Sequence, residues 1–179
     1  AVAVEALGQR YSQVNTFVYL GSTISSVGDV GPEIKRRTGY AWNCFIKYSR
    51  AVYDSPYIAV ADKVRFLKAK VLEVMLYGCV TWTLSPGDFD KLREAHREIL
   101  LRCLNAYIST RAAPDYHMLS YLEVLLRTDR EYIEVVVMKR ILHYAGRVAR
   151  MHDDRLPNID IPGEMVGGKR KRGQPVKRR

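Results

Sequence analysis

The sequence predicts a mainly α fold, a helical bundle with a small N-terminal β-hairpin and a disordered basic C-terminal tail. Three observations carry that expectation. Through most of residues 32–151 apolar side chains recur at alternating steps of three and four, the spacing of a helix face packed on a core. The first 27 residues are instead rich in Val, Phe, Tyr, Thr and Ile around glycines, a strand composition. The last eleven, KRKRGQPVKRR, contain seven cations and no acid, and lack the apolar anchors that would offset the entropy of ordering them alone.

Each element has its own local warrant. The apolar run Ala1 to Leu7, a turn at Gly8 and the segment VNTFVYLGSTI at 14–24 read as one small β-hairpin. Asp29, Pro32 and Glu33 suit a helix start, with proline in the first turn and an acid near the positive end of the dipole. That helix is expected from about Pro32 to Tyr53, with Ile34, Thr38, Ala41, Phe45, Tyr48 and Val52 facing the core and Trp42 at the edge. A second, from about Ile58 to Tyr77, is apolar at Val60, Val64, Leu67, Val71 and Val74 and stops at Gly78, which tolerates a left-handed C-cap. Ser85, Pro86 and Asp88 form a third start signal, followed by an inward stripe of Phe89, Leu92, His96, Ile99 and Cys103 to about Tyr107. Residues 108–114 break the pattern. A short helix from about Asp115 to Leu126 and a long one from about Asp129 to Met151 complete the series, the last apolar at Ile133, Val137, Ile141, Tyr144 and Val148. The predicted organisation is therefore a hairpin over 1–27, a helical bundle over 28–111, C-terminal helices over 112–157 and a disordered tail over 158–179.

Composition limits the function. A length of 179 residues suits about one domain. The chain has 29 Lys and Arg against 19 Asp and Glu, yet without the tail the balance is 22 against 19, so the tail is a separate electrostatic object. Cys44, Cys79 and Cys103 are odd in number and free of C-x-x-C spacing, which points to a reducing compartment. The longest uncharged stretch, Val74 to Gly87, is interrupted by Gly78 and too short to span a membrane. The expected location is intracellular, nuclear or cytoplasmic, and the basic tail is compatible with nuclear import. A start at Ala1 rather than methionine points to a piece of a longer reading frame.

No complete active site is legible. Asp153-Asp154 invites comparison with the paired carboxylates that hold two metal ions for phosphoryl transfer, but it precedes Arg155, Leu156 and Pro157 with no strand pattern beside it, and reads as a solvated loop. Asp88 and Asp90 suit helix-start electrostatics. His96, His117, His143 and His152 with the three cysteines form no close ligand pair, and His96 falls on an apolar face, where a satisfied, partly buried histidine is expected. No catalytic residue, metal or cofactor is assigned. What remains is basic surface. Arg36, Lys47 and Arg50 on one helix, and Arg140, Arg147 and Arg150 on another, recur at helical spacing and suit either a phosphate backbone or a solvated helix face. With the tail cations Lys169, Arg170, Lys171, Arg172, Lys177, Arg178 and Arg179 they favour nucleic acid as partner, an RNA/DNA or DNA duplex.

Seven segments, in order, carry a resemblance: FVYLGSTIS at 17–25, GDVGPEIKRR at 28–37, LKAKVLEVMLYGCVTWTL at 67–84, KLREAHREIL at 91–100, LEVLLR at 122–127, AGRVARMHDDRLP at 145–157 and GKRKRGQP at 168–175. Together they resemble the region after the palm in reverse transcriptases of non-LTR (LINE-type) retrotransposons. The resemblance implies that the polymerase aspartates belong to an upstream palm, and that Phe17, Tyr19, Leu20 and Gly21 are primer-grip-like. It implies that residues from about Pro32 to Tyr107 form a thumb-like bundle closing over template and primer, and that the palm is a partner in the full protein. The chain departs from the family pattern at Val80, at 107–113, at 129–131 and at Arg147, as a decaying element copy or a truncated piece would. Arg172-Gly173-Gln174-Pro175 resembles an AT-hook in which the second arginine is glutamine, so general polyanion attachment ranks above nuclear import and minor-groove reading. Two rivals stand beside the nucleic-acid grip: a helical protein-interaction module using Trp42, Trp82 and the run Val135 to Met138, and a degenerate remnant without activity.

Overall fold

A computed structural model describes residues 3–6, 8–12, 14–104 and 119–151. The described part is mainly helical with a β N-terminus, as expected, but the single predicted hairpin is two. Strands β1 (Ala3–Ala6) and β2 (Gln9–Ser12) pair antiparallel, with Ala3 opposite Ser12 and Ala6 opposite Gln9. Strands β3 (Thr16–Tyr19) and β4 (Ser22–Ser25) form a second two-stranded sheet, with Phe17 opposite Ile24 and Tyr19 opposite Ser22. The difference lies at Leu20-Gly21, read from the sequence as strand interior. Both residues have positive φ, 47° and 81°, the conformation of a tight turn whose twist matches the flanking strands. Leucine is an unusual occupant of that region, so composition gave no sign of it.

Helix α1 (Gly31–Tyr48) begins as predicted, with Asp29 Oδ1 accepting from the Gly31 amide at 2.8 Å and Pro32 in the first turn. A π-helical turn, Ser49–Tyr53, carries it to the predicted end. The expected core face is buried at Ile34, Ala41 and Phe45. The second predicted helix is α2 (Val60–Leu67) and a short α3 (Glu73–Met75), joined by a π-helical turn, Lys68–Leu72. A π turn inserts a residue into the helical repeat and rotates the side chains beyond it. Val64, Leu67 and Val71 are accordingly buried as predicted, but past the turn Leu72, Met75 and Leu76 enter the core, Val74 is only half-buried, and Val60 at the start is exposed. Gly78 adopts φ 73°, the left-handed conformation expected of it.

Helix α4 (Pro86–Cys103) starts on a full capping box: the Asp88 amide donates to Ser85 Oγ at 3.3 Å and the Ser85 amide to Asp88 Oδ2 at 3.1 Å. Its buried side chains include Leu92, His96, Ile99 and Cys103 of the predicted stripe, with Phe89 half-buried. The next helix among the described residues, α5, is Tyr121–Thr128; Leu119 and Ser120 are not helical, and Ser120 and Glu123 form a second capping box that the sequence reading overlooked, while the predicted start near Asp115 lies outside the described residues. Asp129 closes it at φ 50°, and extended Tyr132 delays the last helix of the described residues, α6, to Ile133–Val148.

One buried cluster joins these elements. Helix α1 packs on α3 and α4, and α4 in turn on α5 and α6. The rings of Phe45 and Tyr53 stack at 4.0 Å, while Leu92 and Leu100 of α4, Val124 of α5 and Ile133 and Val137 of α6 are buried in the same cluster at the junction of α4 with the two later helices. At that junction the Tyr121 hydroxyl lies 2.8 Å from His96 Nδ1 and accepts from the Ile133 amide at 3.0 Å. The tyrosine thus links α4 to the start of α6. Cys44, Cys79 and Cys103 are free thiols.

Candidate nucleic-acid interface

The β3/β4 hairpin is held to the helices at its turn. Glu33, buried on the first turn of α1, accepts from the Thr23 amide at 2.7 Å, from Arg37 Nε at 2.7 Å and from Arg36 at 2.8 Å. Both arginines also donate to the Gly21 carbonyl. From the end of α3, the Tyr77 hydroxyl donates to the Leu20 carbonyl at 3.2 Å, and its ring lies 4.3 Å beneath the Arg37 guanidinium. The turn's otherwise unpaired carbonyls are therefore satisfied by the buried Arg37, the half-buried Arg36 and the exposed Tyr77, and the hairpin is tied to both α1 and the turn after α3. This clamp presents Phe17, Tyr19 and Leu20, which are 56%, 56% and 77% exposed. Phe17 and Tyr19 project from the same strand face with rings 6.3 Å apart, an uncovered aromatic pair on a fixed support.

The two predicted basic stripes fare differently. Arg36 is committed to Glu33 and the Gly21 carbonyl, with its guanidinium 5.7 Å from the Tyr40 ring, so it serves the clamp rather than standing free. Lys47 and Arg50 are exposed and make no ion pair among the described residues. On α6, Arg140 pairs with Glu73 at 2.5 Å, whereas Arg147 and Arg150 are exposed. Arg140 and Arg147 line a groove of about 1050 Å³ between α6 and the segment from α3 to Val80. Lys68, Arg130, Lys139 and His143 bring further cationic or titratable groups to it, and Tyr77 and Tyr144 bring aromatic ones. Against these stand Glu73, Asp129 and Glu131, of which Glu73 and Glu131 are already paired with Arg140 and Lys139. Lys68 and Arg147 make no ion pair among the described residues, so positive charge is left over for a ligand.

The tail cations Lys169, Arg170, Lys171, Arg172, Lys177, Arg178 and Arg179, the predicted tail disorder and the pair Asp153-Asp154 lie outside the described residues. Among the described residues no group of three or more His, Cys, Asp or Glu is placed to hold a metal ion, and no helix is long and apolar enough to cross a membrane.

The chain is similar to a transposon-derived protein of Caenorhabditis elegans. The two are 29% identical over 155 residues, which cover 82% of this chain and 50% of that protein, so the chain spans about half the length of this curated relative. No protein-family model matches the chain, and no solved structure does.

Sequence reasoning missed Arg37, Tyr77, Lys68 and Tyr144. The Glu33/Arg37 spacing of four was a usable signal for a helix-face ion pair. Tyr77 was beyond reach, because it meets Leu20 across 57 positions of chain. Of the predicted interaction patch, Trp82 is buried and Trp42 half-buried beneath Arg102, whose guanidinium lies 4.9 Å from the ring. Val135 and Met138 are exposed, together with Leu142.

Proposed function

We propose that this chain is a non-catalytic segment of a transposon-derived RNA-directed DNA polymerase, one that grips template and primer nucleic acid through the α6 groove, the Lys47/Arg50 face and the basic tail. A transposon origin is the coarser part of the reading and rests on the similarity to the Caenorhabditis elegans protein. The finer part rests on one observation above others, the surplus of unpaired cations beside Tyr77 and Tyr144 in a single groove. Phosphate contacts need positive donors more than fixed geometry, and aromatic faces accept any base. The clamped hairpin supports a primer-positioning role for Phe17, Tyr19, Leu20 and Gly21, and chemistry is left to the palm of the parent protein.

Lys68→Ala and Arg147→Ala provide the test. Neither side chain is paired within the described structure, so stability should change by no more than about 0.5 kcal/mol. Each variant should weaken duplex binding several-fold at low salt and reduce the slope of log K against log salt by about 1. Wild-type affinity that is flat between 50 and 200 mM salt, roughly the range over which phosphate grips lose most of their strength, would sink the reading. A second reading, a protein-interaction module, is favoured by Val135, Met138 and Leu142, which expose one apolar stripe of α6. It expects self-association or partner binding that survives deletion of 169–179 and is lost in Met138→Glu. Sedimentation of the two variants separates the readings.

A further inference from the structure

A second groove, of about 1030 Å³, opens between the first half of α1 and α4 and shares no lining residue with the cationic one. Its character is opposite. Asp29, Asp90, Glu94 and Glu98 line it against Lys35 and Lys91, and the half-buried Trp42 and Ala95 supply apolar surface between them, with Ile34 buried beneath. Asp90, Glu94 and Glu98 succeed one another at steps of four along α4, which places them about 6 Å apart in a row. Their internal pairing is slight. Asp90 meets Arg93 at 2.8 Å and Glu94 meets Arg97 at 3.7 Å, both partly exposed pairs within one helix, while Arg93 also binds Glu134 and Arg97 also donates to the Leu119 carbonyl. Lys91 is drawn to Asp88, and Glu98 has no ion pair among the described residues.

We propose that this groove is the docking site of the chain's own basic tail, residues 169–179, bound within the same molecule. Charge complementarity selects the occupant: the tail has seven cations and no acid, and it carries most of the chain's net charge of +10. Spacing agrees with it. Alternate residues of an extended chain lie about 6.2–6.8 Å apart, close to the repeat of the acidic row, so Lys169 and Lys171, or Arg170 and Arg172, meet successive carboxylates. Pro175 and Val176 then offer an apolar interruption to a groove lined by Trp42, the arrangement by which stiff proline-containing segments dock on aromatic surfaces. Reach is no obstacle, since the seventeen residues between Met151 and Lys169 extend up to roughly 55 Å, several times the radius of a domain this size. Docking withdraws the tail from other polyanions. A duplex must displace it, so the acidic groove regulates the grip under Proposed function, and this regulatory consequence alone rests on that reading.

Zero-length carbodiimide cross-linking of the full chain at low salt, with products mapped by mass spectrometry, tests the docking directly. Lys169, Lys171 and Lys177 should form amides with Asp90, Glu94 and Glu98 in the monomer, in preference to exposed acids elsewhere such as Asp54, Asp62 and Glu131, and high salt should abolish the preference. Cross-links spread evenly over surface acids, or confined to covalent dimers, would overturn it. Full-length Glu94→Gln/Glu98→Gln, which leaves the cationic groove untouched, tests the competition. Its duplex affinity should rise about three- to tenfold, the gain expected when a mostly occupied tail is released. Unchanged affinity in a variant of a duplex-binding wild type would reject the competition. A wild type with no duplex affinity would instead reject the grip, leaving the cross-links to decide the docking.

Discussion

Replacing Glu33 by alanine is expected to destabilise the protein by about 3 kcal/mol and to release the β3/β4 hairpin from α1. The carboxylate is 2% exposed and is the shared acceptor for Arg36, Arg37 and the Thr23 amide. Without it Arg37, only 7% exposed, is left as a buried cation whose remaining partners are the Gly21 carbonyl and the Tyr77 ring. Removing one member of a buried pair costs more than the pair contributes, because the other charge stays desolvated. Urea unfolding measures the loss, and hydrogen exchange at the Thr23 amide locates it. A loss below about 1 kcal/mol with Thr23 still protected would show that the clamp is ornamental. Acid should act in the same direction. Burial raises the Glu33 pKa, but the bonds from Arg37 and Thr23 outweigh it and hold the group below its ordinary 4.5. The attachment is therefore at full strength above pH 4.5 and is lost as pH falls through the folded value. Glu33 acts on the exposed hairpin only through Gly21 and Thr23, so it is a positioning residue. In the proposed grip, its loss should weaken duplex binding with Phe17 and Tyr19 still present.

The second large effect is a fall in stability between pH 6.5 and about 4 that belongs to His96. Burial lowers its pKa from 6.5 to about 4, with a smaller raising influence from the Glu134 charge and a lowering one from Arg130. The folded state keeps the ring neutral while the unfolded chain takes up a proton throughout that window, so stability is complete above pH 6.5 and declines as pH falls. At about 1.4 kcal/mol per pH unit the total is on the order of 3 kcal/mol. Geometry gives the same sign: Nδ1 is placed to accept from the Tyr121 hydroxyl, whose oxygen already takes the Ile133 amide. Protonation turns that nitrogen into a donor facing an occupied oxygen, and the junction of α4, α5 and α6 loosens. His96→Gln should be less stable at pH 7 and nearly flat across the window. A wild-type slope retained in the variant would assign the acid sensitivity to another group.

The fold was largely legible because helix faces write themselves as periodicity and helix starts as short polar signatures. Ile34, Ala41 and Phe45, the Ser85 capping box and the Gly78 terminus all obey rules that act within a few residues. Where the reading failed, the cause was a local conformation that its residue type disguises. Leu20 turns the chain although leucine avoids positive φ, and the π turn at Lys68–Leu72 moves Leu72 and Met75 inward where an unbroken helix would have placed Val74. The candidate site was half legible. Its cations were visible as stripes, but their partners were not, so Arg36 and Arg140 looked as free as Arg147. Only the folded chain separates charges already spent on Glu33 and Glu73 from those left for a ligand.

The π turn in the middle of the second helix also bears on how such chains change length. A residue gained or lost in a protein is ordinarily absorbed by a loop, because in a regular helix it would swing every later side chain off the core. Residues 68–72 already contain the extra residue of a wider turn, stored between Val64 and Leu67 on one side and Met75 and Leu76 on the other. Removing one residue within 68–72 is therefore expected to return the segment to the ordinary helical repeat, with the shortening absorbed inside the helix rather than in the loops around it.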